Sequence, residues 1–222
     1  MTRRVMIVGN GDIGDGLADA IDAADLVMRF NDCRSVGAGG GRTDIVVVCN
    51  TGRPGKAMTE SAAWACNKSV WLASAIWCVR DPAKFRAMTE DIRRDHPELD
   101  DFCDDYTDGF ADYARKNAKD FHIIPAATHE ALDGTLAAYL PGTYVVPSTG
   151  AVAIAEFLAH YRKPGDDIFL AGFGHQGWDG HPWAAERVWV DELMATGTLA
   201  RLVALPPFDK AASRSPNFSE PR

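Results

Sequence analysis

One repeated pattern leaves this chain few folds to choose from: a short β-branched apolar run, a turn cluster, then apolar residues at helical spacing. Val5-Met6-Ile7-Val8 runs into Gly9, Ile13, Leu17, Ala20 and Ile21 follow at helical intervals, and Leu26-Val27-Met28-Arg29-Phe30 is strand-like again. The next apolar run, Asp44 to Cys49, ends in Asn50-Thr51-Gly52-Arg53-Pro54-Gly55. A helical stretch to Asn67 and a strand at Val70-Trp71-Leu72-Ala73 are predicted after it. Residues 81–120 turn polar and acidic, with breaks at Pro97 and Gly109, and read as solvated helices inserted into the alternation. Strands are then expected at Phe121–Ile124, Tyr144–Val146 and Asp167–Gly172, with helices from Ala151 to Tyr161 and from Pro182 to Ala195, and a last apolar run from Leu199 to Leu205. Strand runs that are apolar throughout, separated by helices, predict an α/β fold: a mostly parallel sheet with helices on both faces. One domain over residues 1–205 is expected, with a Ser/Pro-rich, disordered tail over 206–222.

Charge and cysteine usage narrow the function classes. With 23 Lys+Arg against 31 Asp+Glu the net charge is −8, which argues against a dedicated nucleic-acid or anionic-membrane surface. The opening apolar run is broken at Gly9, too early for a signal segment or a membrane span. Cys33, Cys49, Cys66, Cys78 and Cys103 are an odd set without a C-x-x-C pair, so neither a zinc site nor a disulfide framework is indicated and a cytoplasmic setting is expected.

Chemistry is suggested at three places. Gly9-Asn10-Gly11-Asp12-Ile13-Gly14 matches G-x-G-x-x-G between a strand and a helix, with Asp32 about twenty residues on. Glycines there would let the backbone approach a nucleotide phosphate, and a helix start would offer it unpaired N–H groups. Pro147-Ser148-Thr149-Gly150 sets two hydroxyls before a helix, either as its cap or as a second ligand-facing turn. His181-Pro182-Trp183-Ala184-Ala185-Glu186 follows a loop rich in Gly, His and Trp. His181 beside the positive end of a helix would stay neutral and available as a proton acceptor.

In this order the three stretches resemble the sialyltransferases, glycosyltransferase family 29. Val8-Gly9-Asn10 with Ile21-Asp22, Asp25-Leu26-Val27, Arg29-Phe30-Asn31, Val36-Gly37 and Thr43-Asp44 is similar to the family's large motif. Pro147 to Gly150 with Phe169 to Phe173 is similar to its small motif, and His181 with Glu186 to its H-x-x-x-x-E motif. Short bacterial chains of this type are sometimes labelled urease operon accessory proteins. The resemblance implies a variant Rossmann-like, GT-A-like fold and inverting, metal-independent transfer of a sialic-acid or Kdo-type sugar from a CMP-activated donor to a glycan or glycolipid. The sequence contains no D-x-D tripeptide, in keeping with a reaction that uses no metal and no cofactor. By position it implies nucleotide contacts from Gly9, Asn10, Gly11, Asn31, Ser148, Thr149, Gly150 and His175, with His181 as base and Glu186 as its companion. Arg29, Arg34, Arg42 and Arg53 lie near strand ends as candidate partners for the anionic donor. Two other readings stay open: a nucleotide-binding accessory protein without turnover, and an NAD-dependent oxidoreductase resting on Gly9 to Asp32.

Overall fold

The computed structural model describes residues 2–203. Seven parallel strands, β1 (Arg4–Val8), β2 (Leu26–Phe30), β3 (Ile45–Val48), β4 (Ala75–Cys78), β5 (Asp120–Ile123), β6 (Asp167–Ala171) and β7 (Ala200–Arg201), form one sheet in the order β5-β4-β3-β2-β1-β6-β7. The helices are α1 (Ala18–Asp22), α2 (Gly52–Thr59), α3 (Ala62–Ala65), α4 (Lys68–Leu72), α5 (Pro82–Asp95), α6 (Thr107–Lys116), α7 (Ala126–Ala137), α8 (Thr149–Glu156) and α9 (Trp183–Ala195). A π-helical turn, Phe157–Tyr161, continues α8. This is the α/β, Rossmann-like architecture predicted. The tail over 206–222 and the end of the last apolar run lie outside the described residues.

Alternate residues of each central strand feed opposite faces of the sheet. Val5, Ile7, Met28, Val47 and Trp77 pack against α7, α8 and α9. Val46, Val48, Ile76 and Cys78 pack with Trp64 and Phe110 on the other face, and Met6, Val8 and Val27 with Ile21. Both faces are covered, which is why the strands are apolar throughout.

Three expectations shift. The strand at Val70–Ala73 is the helical turn α4, capped by Asn67 Oδ1 accepting from Ser69 N at 2.9 Å, and the strand starts five residues later at Ala75. Tyr144–Val146 forms no strand; Val145 N donates to Gly180 O at 2.9 Å, so the segment lies against the loop before α9 rather than in the sheet. The helix after Gly9 begins only at Ala18, because Gly14 and Gly16 sit at φ +69° and +78° and unwind the chain before it.

Candidate functional site

Strand order reverses around β1. The chain steps from β1 outward through β2 to β5 on one side and reaches β6 only at the end, so the carboxyl ends of β1 and β6 border a switch-point crevice. The crevice has a volume of about 940 Å³, and Asn10, Asn31, Thr149, His175 and His181 are among its lining residues. All ten residues expected to form the site line it, so distant stretches of sequence do converge.

Their roles divide sharply once hydrogen bonds are traced. Gly9 N donates to Ala171 O at 2.8 Å and Gly11 N to Gly172 O at 3.0 Å. A Cβ at Gly11 would come within 2.8 Å of the Gly172 carbonyl. These glycines therefore let the β1 and β6 loops clasp each other. They bring no free N–H to a phosphate, and with α1 starting at Ala18 no helix terminus follows them. The dinucleotide reading loses its physical basis here. Asn10 is a strut as well: its Nδ2 donates to Phe30 O at 3.1 Å and its Oδ1 accepts from Arg34 N at 3.0 Å.

Asn31 keeps more freedom. It adopts φ +53°, a left-handed conformation that Asn tolerates better than most residues, and its Oδ1 accepts from Cys49 N at 2.9 Å. No described residue accepts from its Nδ2. The turn before α8 is held from below. Glu186, only 1% exposed, accepts from Ser148 N at 2.6 Å and Ser148 Oγ at 2.7 Å, and Ser148 Oγ in turn accepts from Ala151 N at 3.1 Å. The Ser148 hydroxyl proton is thus committed to Glu186, and the residue acts as helix cap and not as donor to a ligand. A Cβ at Gly150 would meet the Phe173 ring at 2.7 Å, so this glycine admits an aromatic neighbour from the β6 loop. Thr149 is left as the hydroxyl of the turn facing the crevice.

His181 is the group best prepared for chemistry. Its Nδ1 lies 2.8 Å from Val146 O, and a carbonyl can only accept, so Nδ1 carries the proton and Nε2 keeps its lone pair. Burial holds its pKa down to about 4, the Val146 bond opposing and the nearby Arg80 charge assisting, so the ring is a neutral acceptor at pH 7. Trp178 and Trp183 stand edge-on to it at 4.9 and 5.0 Å and fix its plane. Phe102, from the polar insertion between α5 and α6, backs Trp178 at 5.7 Å. Glu186 does not reach His181 in any hydrogen bond; burial raises its carboxyl pKa, against the two Ser148 bonds. It is a positioning residue for the turn.

The four candidate arginines are sorted by their partners. Arg29 is fully buried and donates to Arg42 O, Ser35 Oγ and Gly39 O, which fixes the loop over residues 35–42. Arg42 pairs with Asp44 and Arg53 with Asp101. Arg34 alone of the four lines the crevice. Two cations escaped the sequence. Arg80 is buried with its guanidinium 5.0 Å above the Phe85 ring and 3.4 Å from Pro147 O, and Arg201 lines the crevice from β7.

No family model matches the chain. Among solved structures it is similar to the sialyltransferase CstII from Campylobacter jejuni in complex with cytidine-5'-monophosphate, at TM-score 0.52 and 16% identity over 91% of this chain and 80% of that one. The complex of the same enzyme with CMP-3FNeuAc gives TM-score 0.53 and 15% identity over 90% and 79%. The fold is therefore that of the sialyltransferases, a Rossmann-like, GT-A-like α/β fold. At the level of sequence, the urease operon 23 kDa accessory protein of Rhizobium meliloti (strain 1021) is 54% identical over 200 residues, covering 90% of this chain and 93% of the relative. The chain belongs to the family of that accessory protein. No helix among the described residues is long and apolar enough to cross a membrane.

Proposed function

We propose that this protein transfers a sialic-acid or Kdo-type sugar from a CMP-activated donor to a glycan or glycolipid hydroxyl, with inversion, without a metal or cofactor, and in the cytoplasm. The observation that carries the reading is His181: its Nδ1–H is spent on Val146 O, so Nε2 offers a lone pair at the edge of a crevice lined by the residues of all three motifs. In the reaction the acceptor O–H gives its proton to His181 Nε2 as its oxygen bonds to the anomeric carbon. The bond from that carbon to the phosphate oxygen breaks, and its electron pair leaves with CMP. A positioned base of this kind contributes about 10² to 10⁴ in rate. Asn31 Nδ2, Thr149 and His175 are assigned to the nucleotide. Gly9, Asn10, Gly11, Ser148 and Gly150 shape the crevice through the backbone and loop contacts described above, and Glu186 holds the Ser148 turn. Among the described residues no three His, Cys, Asp or Glu side chains are grouped to hold a metal.

A second reading, a nucleotide-binding accessory protein without turnover, is favoured by the name of the 54% identical relative. One experiment separates the two: CMP binding by calorimetry paired with turnover of CMP-sugars, on the parent and on His181→Ala. Transfer is expected to disappear in His181→Ala while CMP affinity stays within about twofold. Full turnover by His181→Ala would remove the base assignment, and a parent that binds CMP without turning over any CMP-sugar would establish the accessory reading.

A further inference from the structure

An anionic donor in this crevice needs positive charge that the glycine loop does not supply. The Gly9 and Gly11 N–H groups are bonded to β6 carbonyls, Ser148 N to Glu186, and Arg29, Arg42 and Arg53 are engaged elsewhere. Among the described residues the cations lining the crevice are Arg34 and Arg201. Both are exposed, but Arg34 is tied to Asp32, whereas Arg201 has no carboxylate partner among the described residues. Arg201 comes from a part of the chain that none of the three motifs touches.

The edge strand delivers Arg201 to the crevice. In β7 it is paired in register with Leu170 of β6, one residue before that strand ends, and its Nη1 donates to Phe173 O at 3.1 Å. This bond pins the guanidinium beside the loop over residues 172–175 and leaves its other N–H groups without a partner among the described residues. His175 follows in the same loop. It sits at φ +47°, an uncommon conformation for a residue with a side chain, is 8% exposed, and lines the crevice. Its Nε2 is buried with no hydrogen-bond partner among the described residues. Such an atom in a native fold calls for an explanation, and an absent ligand supplies one. Burial, and after it the charges of Arg201 and Arg187, lower the His175 pKa and favour the neutral ring, which can donate through Nε2–H beside a fixed cation without adding a second charge.

We infer that Arg201 and His175 together form the subsite for the donor's phosphate, with Arg201 supplying the charge and His175 Nε2–H one hydrogen bond. The assignment rests on the CMP-sugar reading above and extends it to a residue outside the motifs. A guanidinium suits the task because it stays charged at any working pH and offers several N–H groups to a phosphate at once.

The test compares CMP with cytidine, which lacks the phosphate, by calorimetry on the parent, Arg201→Gln and His175→Asn. Asparagine is chosen because it tolerates the left-handed conformation. Arg201→Gln is expected to weaken CMP at least tenfold, to leave cytidine within twofold, and to flatten the salt dependence of CMP binding. His175→Asn is expected to weaken CMP several-fold with cytidine again unchanged. CMP affinity unaltered in Arg201→Gln, or an equal loss for CMP and cytidine, would overturn the phosphate assignment while leaving the nucleotide reading intact. A parent protein that binds neither compound would overturn both.

Discussion

Removing the Glu186 carboxylate tests whether the turn before α8 is built from beneath. Glu186→Ala leaves the Ser148 N–H and the Ser148 hydroxyl without their acceptor in a site where both Ser148 and Glu186 are buried. Each stranded donor costs about 1–3 kcal/mol. Part of this returns because burying a carboxylate is itself unfavourable, the same effect that raises the Glu186 pKa. The net expected loss is about 2–4 kcal/mol, a fall in Tm of roughly 5–15 °C for a chain of this size. Glu186→Gln keeps a carbonyl oxygen for Ser148 N and should cost about 1 kcal/mol. Urea unfolding of the parent, Glu186→Ala, Ser148→Ala and the double variant completes a cycle. Because Ser148→Ala removes one of the two donors beforehand, Glu186→Ala should be milder in that background, with a coupling energy of about 1 kcal/mol or more. Strict additivity, or a Glu186→Ala protein as stable as the parent, would refute the claim that this carboxylate holds the turn.

Three further outcomes are expected. His129, 1% exposed with Nε2 2.7 Å from Val79 O, and His181 both have folded-state pKa values lowered to about 4 from an ordinary 6.5. The unfolded chain therefore binds more protons between those values, and stability should be full above pH 6.5 and fall toward pH 4. His129 accounts for about 3 kcal/mol of that loss and His181 acts in the same sense. Urea midpoints at pH 7.5 and 5 check the sign, and His129→Gln should flatten the slope. Asn31→Asp keeps the acceptor for Cys49 N but loses the amide donor, and should weaken CMP by about 1–3 kcal/mol in calorimetry, while EDTA leaves the parent's affinity unchanged. All five cysteines are free, so melting temperatures with and without reductant should coincide.

Much of the sheet was legible because buried parallel strands announce themselves as unbroken apolar runs, as in β1, β2, β3 and β6. The strand placed at Val70–Ala73 misled for a local reason: Val70 and Trp71 favour strands, yet the Asn67 cap turns them into a helix that buries Val70 and leaves Trp71 more than half exposed. Motif order named residues that the fold gathers around one crevice, but it did not show which hydrogen bonds they make there. That Gly9 and Gly11 serve the Ala171 and Gly172 carbonyls, or that Glu186 serves Ser148 across 38 residues, depends on long-range hydrogen bonds that no local pattern encodes. Arg80 and Arg201 carried no signal at all, since an isolated arginine in or just after a strand looks like any surface cation until the topology places it.

The position of β1 has a consequence for how the molecule is made. Val5 is matched with Leu26 on one side, about twenty residues along the chain, and with Ile168 on the other, more than 160 residues along. As the chain leaves the ribosome, β1 through β5 can associate in order, but the second flank of β1 stays an open edge until Ala171 has emerged. Contacts this distant in sequence are slow to form, and an unpaired central strand invites pairing with other chains. The crevice, which needs both flanks, therefore cannot exist until β6 has paired with β1. Chains that stop short of β6 should be prone to aggregation and unable to form the crevice, whatever the quality of their first 160 residues.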